Sequence, residues 1–393
     1  MRVPDTKVIS PIRAFFATAN RGHSPWWSWL AIAWFALMLW FYGQMIFGVL
    51  MGVVMLFSDP AALQNMAEQA GTNASGDSTQ MAVFLIIALS FLSFLLFVLR
   101  SQFSGISRRI ANIIAATGAL ISFVLLIYIL KVGNDPDSAA MLNQLMGDSP
   151  AIYALVLMMF PPMAIGLVLG VKFVQKRPVL SLLTAHRRFR WRRLVFAAIL
   201  VWAIAAVATW IGHVTGASPV RFVFDPKRFW VFLPVTLLLI PLQSATEEIM
   251  LRGFATQGMG QYIKNPWVVF FITSAAFASL HLGNPEVAET IKEHSMLTAI
   301  GGYFMFGMFA SLMVWIDGGL EAAIGMHVAN NVFAAAVVGY ESSALPTPTI
   351  FKIGLDTSLD NLTVFISMSL VCLILYLTRK PVQPQARLED IFE

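Results

Sequence analysis

The sequence is poor in charge and almost without cysteine. Of its 393 residues, 12% are charged and one is Cys, against 58% hydrophobic residues. A soluble domain carries about 25% charged residues, so a soluble globular enzyme of this length is excluded. The one thiol, Cys372, lies in an apolar run and has no second cysteine to bridge to, which excludes a disulfide scaffold. Internal repeats and low-complexity tracts are also missing. So are the His-Glu-x-x-His zinc signature and the Gly-x-Ser-x-Gly nucleophile elbow. Cys372 is far in sequence from every histidine, so Ser/His and Cys/His nucleophilic schemes are disfavoured. There is no terminal Cys-a-a-X, so the chain is not expected to be a prenylation target itself. A secretory signal is not expected either. Residues 1–25 are polar, with Arg2, Lys7, Arg13 and Arg21, and the apolar run after them is too long for a signal core.

What remains is apolar and aromatic: 31 Phe, 20 Met and 11 Trp, with a mean hydropathy of +0.73. A spanning helix needs about 20 mostly apolar residues. Ten runs qualify: Trp26–Phe57, Met81–Leu99, Ile110–Leu130, Ile152–Val174, Leu194–Val214, Phe229–Leu251, Trp267–Leu282, Met296–Ile316, Leu320–Tyr340 and Leu362–Thr378. The expected fold is an all-α, polytopic transmembrane helical bundle in the cell (inner) membrane. With ten spans and the N-terminus inside, inner segments hold 20 of the 26 Lys and Arg and 8 of the 21 Asp and Glu. Both termini are therefore expected in the cytoplasm, and the net charge of +5 reports topology rather than a nucleic-acid partner. The expected organisation is a cytoplasmic tail over 1–25, about five helices over 26–214, a core over 229–340, a last helix over 362–378 and a cytoplasmic tail over 379–393. The Arg187–Arg193 run is expected to meet anionic headgroups. Asp317 and Glu321 are expected to cap a helix start, and Gly301, Gly302 and Gly307 to permit close helix packing.

Ionisable groups inside spans are costly and are functional candidates by default. Here they fall in the later spans. Glu248 and Arg252 are four apart and face each other as an ion pair. Glu247 points about 100° away and has no partner on its own helix. His281 and His327 are the deeper histidines; His23, His186 and His294 fall in loops and are expected in solvent, and His213 lies at an outer helix end. His327 shares a face with Asn331, and Phe277 with His281. A carboxylate with a histidine can take a proton from water and return it to a leaving amine. A second histidine and an amide can donate to an oxyanion. Alternatively, Glu247, His281 and His327 are three ligands of a zinc ion whose fourth ligand is water. Residue types alone leave both open. By the spans above, Glu247 and His281 differ in depth by about 10 Å; a tilt or a half-buried seventh helix would close that gap.

In order, Glu247-Glu248-x-x-x-Arg252, Phe277-x-x-x-His281 and His327-x-x-x-Asn331 resemble the three motifs of the CPBP intramembrane proteases, the CAAX prenyl protease type 2 or Abi proteins. The resemblance covers roughly Phe229 to Tyr340. It implies an intramembrane endopeptidase that cuts a membrane-associated protein or peptide, CAAX-like and prenylated in eukaryotic relatives. By similarity, Glu247 activates water with His281 assisting, His327 and Asn331 form the oxyanion hole, and Glu248, Arg252 and Phe277 support them. No cofactor is required by that scheme; zinc is its alternative. The expected partners are membrane lipids and a membrane-tethered substrate. Two other classes fit parts of the pattern: a non-catalytic scaffold or immunity protein of the same fold, and a proton- or ion-coupled transporter.

Overall fold

In lipid, an apolar run can satisfy its backbone polar groups only internally, so such runs close into helices. The structure, a computed structural model, describes residues 10–61, 64, 76–99, 104–132 and 136–382, and it is an all-α bundle. Most of the expected outer loop 58–80, residues 1–9 of the first tail and 383–393 of the last lie outside the described residues. Seven described helices are long and apolar enough to cross a membrane: Trp26–Ser58, Ser107–Leu125, Pro150–Phe173, Trp191–Val214, Pro226–Gly260, Met296–Asp317 and Thr357–Leu377. The pair Pro266–Leu280 and Pro285–Glu293, bent by 94°, makes an eighth if it counts as one span. The ninth expected span is a helix of 16 residues, Glu321–Ala336, about 24 Å long. It reads as apolar as a span because protein, rather than lipid, surrounds it.

Helix starts follow local chemistry. Asp225 accepts from the amides of Lys227 and Arg228, Asn265 from Trp267, Ser295 from Thr298 and Asp356 from Leu359. Each satisfies a backbone donor that a helix start leaves unpaired. Pro226 and Pro266 occupy first-turn positions, where a missing N–H costs nothing.

The Glu321–Ala336 helix sits in the middle, packed on Trp191–Val214, Pro226–Glu248 and Met296–Asp317. Gly325 makes the first of these contacts: a Cβ there would collide with the carbonyl of Leu194. Every residue from Glu321 to His327 is buried. Three two-residue strands, Arg221–Phe222, Phe351–Lys352 and Val338–Gly339, form a small sheet in that order.

The turn before this helix is clamped by ion pairs. Arg193 donates to both oxygens of Asp317, at 2.7 and 2.9 Å, and to the carbonyl of Leu375 at 2.6 Å. Arg190 pairs with Glu321 at 2.8 Å, and both carboxylate side chains are fully buried. Gly318 turns the chain in the left-handed region, φ 65°, where a side chain is strained. Arg190 and Arg193 therefore face inward, which corrects the expectation that the whole Arg187–Arg193 run meets headgroups. Asp317 and Glu321 likewise anchor this turn rather than only cap a helix. His186, expected in solvent, is also buried and reaches the carbonyl of Asp317 at 2.9 Å. Burial and then the Arg190 charge pull its imidazole below its ordinary range. Arg193→Lys keeps the charge but loses the fork that grips Asp317. It is expected to cost about 2 kcal/mol, read as a lower midpoint of thermal unfolding in detergent; an unchanged midpoint would refute this role for the clamp.

Candidate active site

The Pro226–Gly260 helix carries the two carboxylates and is irregular around them. Pro234 and Pro241 interrupt its hydrogen-bond ladder before them. Residues Ile249–Ala255 then form a π-helical stretch, a feature that recurs at functional sites. Glu248 and Arg252 keep their one-turn spacing, with Arg252 Nη1 at 3.3 Å from Glu248 Oε1 and both side chains fully buried. Arg252 also lies 4.5 Å over the Phe277 ring, a cation–π contact. Gly307 gives the guanidinium room, since a Cβ there would stand 2.9 Å from Arg252 Nη2. One of the three expected packing glycines thus borders the centre directly.

The third-motif histidine is set between the two carboxylates. His327 Nδ1 lies 2.8 Å from Glu248 Oε1. A carboxylate only accepts, so Nδ1 carries the proton. His327 Nε2 stands 3.6 Å from Glu247 Oε2, and no protein hydrogen bond reaches that buried oxygen. The other oxygen, Oε1, accepts from Gln243 Nε2. Glu247 therefore has a partner on its own helix, contrary to expectation. The missed signal was Gln243 itself, an amide four residues upstream. Gln243 Oε1 accepts in turn from Ser244 Oγ at 3.0 Å and from Asn331 Nδ2 at 3.3 Å. Asn331 thus joins the Glu247 network through Gln243.

His281 comes from another direction. It caps the Pro266–Leu280 helix and is half-buried. Its Nδ1 lies 2.8 Å from the carbonyl oxygen of Phe277, so Nδ1 donates and Nε2 is the basic nitrogen. The Phe277 ring lies 4.4 Å from His281 and 5.8 Å from His327, and so joins the two. His281 follows Phe277 by four residues, about 6 Å along a helix. The structure brings Glu247, Glu248, Arg252, Phe277 and His327 into one cluster, and places Asn331 and His281 at its edges. No hydrogen bond or ion pair joins His281 to Glu247.

A zinc ion with water as its fourth ligand needs three protein donors at about 2 Å. Among the described residues, no three His, Cys, Asp or Glu side chains stand together closely enough to hold a metal. The set Glu247, His281 and His327 does not fit as a ligand cage in this geometry.

Fold and centre together define a class: a multi-pass helical membrane protein with two buried carboxylates and a histidine in one cluster, and a second histidine and an amide at its edges. Residues 226–333 match a family described as Type II CAAX prenyl endopeptidase Rce1-like. The resemblance read from the three motifs is thus borne out over that segment, which contains all seven of the residues named from them. Over 190 residues the chain is 29% identical to the "Uncharacterized protein YyaK" of Bacillus subtilis (strain 168). That match spans 48% of this chain and 62% of the relative. No solved structure matches.

Proposed function

We propose that this protein is an intramembrane endopeptidase of the CAAX prenyl protease type, resident in the cytoplasmic (inner) membrane with both termini in the cytoplasm. Its substrate is a membrane-associated protein or peptide, prenylated and CAAX-like or otherwise tethered. The observation that carries the reading is Glu247: a buried carboxylate with one oxygen held by Gln243 and the other facing His327 without a hydrogen bond. That is the arrangement a general base for water requires.

In the reaction, Glu247 takes one proton from a water molecule while the water oxygen bonds to the scissile carbonyl carbon. The carbon–nitrogen bond then breaks, and Glu247 returns the proton to the leaving amine. His281 assists through Nε2, the nitrogen that its bond to Phe277 leaves basic. Asn331 donates to the oxyanion, and so does His327 in its imidazolium form, through Nε2–H while Nδ1–H stays on Glu248. The Asn331 amide bonds are long, 3.3 Å to both Gln243 and Ser244, so a charged oxygen competes with them favourably. Glu248 and Arg252 hold His327 in place.

The test is cleavage of membrane-tethered peptides by the purified full-length protein and by Glu247→Ala. Cleavage that survives in the variant sinks the reading. Exhaustive chelation with 1,10-phenanthroline is expected to leave the rate within about twofold, because the proposed proton transfers need side chains only. A chelated protein that is inactive and is restored by zinc would replace this scheme with a metal-based one.

A further inference from the structure

Tyr303 belongs to none of the three motifs, yet its ring stacks on the imidazole of His281, with centroids 4.4 Å apart and planes 26° from parallel. Its own position is fixed from three directions. The phenol donates to Glu286 Oε1 and accepts from Asn284 Nδ2 at 2.8 Å. Asn284 also reaches Glu286 Oε1, at 3.2 Å. Glu286 Oε2 accepts the amide of Ala344 at 3.0 Å. One carboxylate thus ties together the turn after His281, the Met296–Asp317 helix and the loop that follows the Glu321–Ala336 helix. A partly buried carboxylate that accepts three hydrogen bonds from three segments restricts its neighbours to one arrangement. That arrangement surrounds His281.

Building on the protease reading, we infer that Tyr303, anchored by Glu286 and Asn284, is a positioning residue for His281. Stacking on Tyr303 holds the imidazole where Nδ1 reaches the Phe277 carbonyl, and this fixes Nε2 as the basic nitrogen. Without the stack, the ring can rotate about its side-chain bonds, the Phe277 bond is lost part of the time, and the two neutral tautomers mix. His281 caps a helix and is half-exposed, so its own backbone does not hold the ring.

The test uses the purified full-length protein with ¹⁵N-labelled histidine, and His281→Gln to identify the resonances. In the wild type, neutral His281 is expected as a single tautomer with a protonated Nδ1. Tyr303→Leu is expected to give averaged shifts and to lower kcat on a membrane-tethered peptide by about 10–100-fold with KM within threefold. Tyr303→Phe keeps the stack, loses the anchor and is expected to fall between the two. Being nearly isosteric, it keeps the test decisive if the Leu variant fails to fold. A single tautomer retained in Tyr303→Phe and in any folded Tyr303→Leu overturns the inference, whatever happens to kcat. A tautomer that mixes in the variants of a protein without peptidase activity supports the positioning role and refutes the protease reading.

Discussion

Exchange of Glu247 for Gln is expected to lower kcat for cleavage of a membrane-tethered peptide by about 10²–10⁴-fold, the contribution typical of a general acid–base group. The substitution is nearly isosteric. The new amide oxygen can still accept from Gln243 Nε2 as Glu247 Oε1 does, so the helix and the Asn331 network need not change. What disappears is a carboxylate able to take a proton. KM is expected to stay within about threefold, because the loss falls on the transition state rather than on binding. The same variant separates the competing classes. A scaffold keeps its partner binding in Glu247→Gln. A transporter loses flux of a permeant ion, which would be measured in sealed vesicles without any peptide. A protease loses cleavage alone. Full cleavage in Glu247→Gln would reject the assignment of the base.

The relation between sequence and structure differs by element. The expected spans from Phe229 and Trp267 begin three residues and one residue inside the helices that Pro226 and Pro266 start, because hydropathy finds the apolar run and passes over the capped turn before it. The three motifs were legible because ionisable groups are rare in this chain and each pair lies one helical turn apart. Whether a given run faces lipid is not legible by the same logic. Apolar composition is shared by a helix that faces lipid and by Glu321–Ala336, which faces other helices, so hydropathy does not distinguish them. Contacts between distant segments were also hidden. Arg190 meets Glu321 across 131 residues and Arg193 meets Asp317 across 124, and a run of arginines with no visible partner reads as a lipid-facing patch. Tyr303 and Glu286 escaped for that reason too, since neither shares an element with His281. Gln243 is different. Its spacing from Glu247 was in plain view, but an amide attracts less attention than a charge.

The other large effect is on folding rather than chemistry. Glu248→Ala removes the acceptor of both Arg252 and His327, which converge on the single oxygen Oε1. It leaves a fully buried guanidinium whose Nε and Nη2 already have no protein hydrogen bond. Breaking a buried pair from one side costs about 3–5 kcal/mol, a large part of the stability of an ordinary domain. The expected result is a sharp loss of folded protein, read as yield of the monodisperse species and as the midpoint of thermal unfolding. Removing both charges together, in Glu248→Leu with Arg252→Met, avoids the stranded cation. It is expected to recover most of that loss, since apolar replacement of a buried pair is often neutral or better. Activity is not expected to return. His327 Nδ1 then has no acceptor, its proton can move to the other nitrogen, and the ring that faces Glu247 loses its orientation. A double variant that is stable and inactive assigns Glu248 two functions: it neutralises Arg252 and it orients His327. A double variant that is stable and fully active would show that the pair only supports the fold, and that His327 needs no help from Glu248.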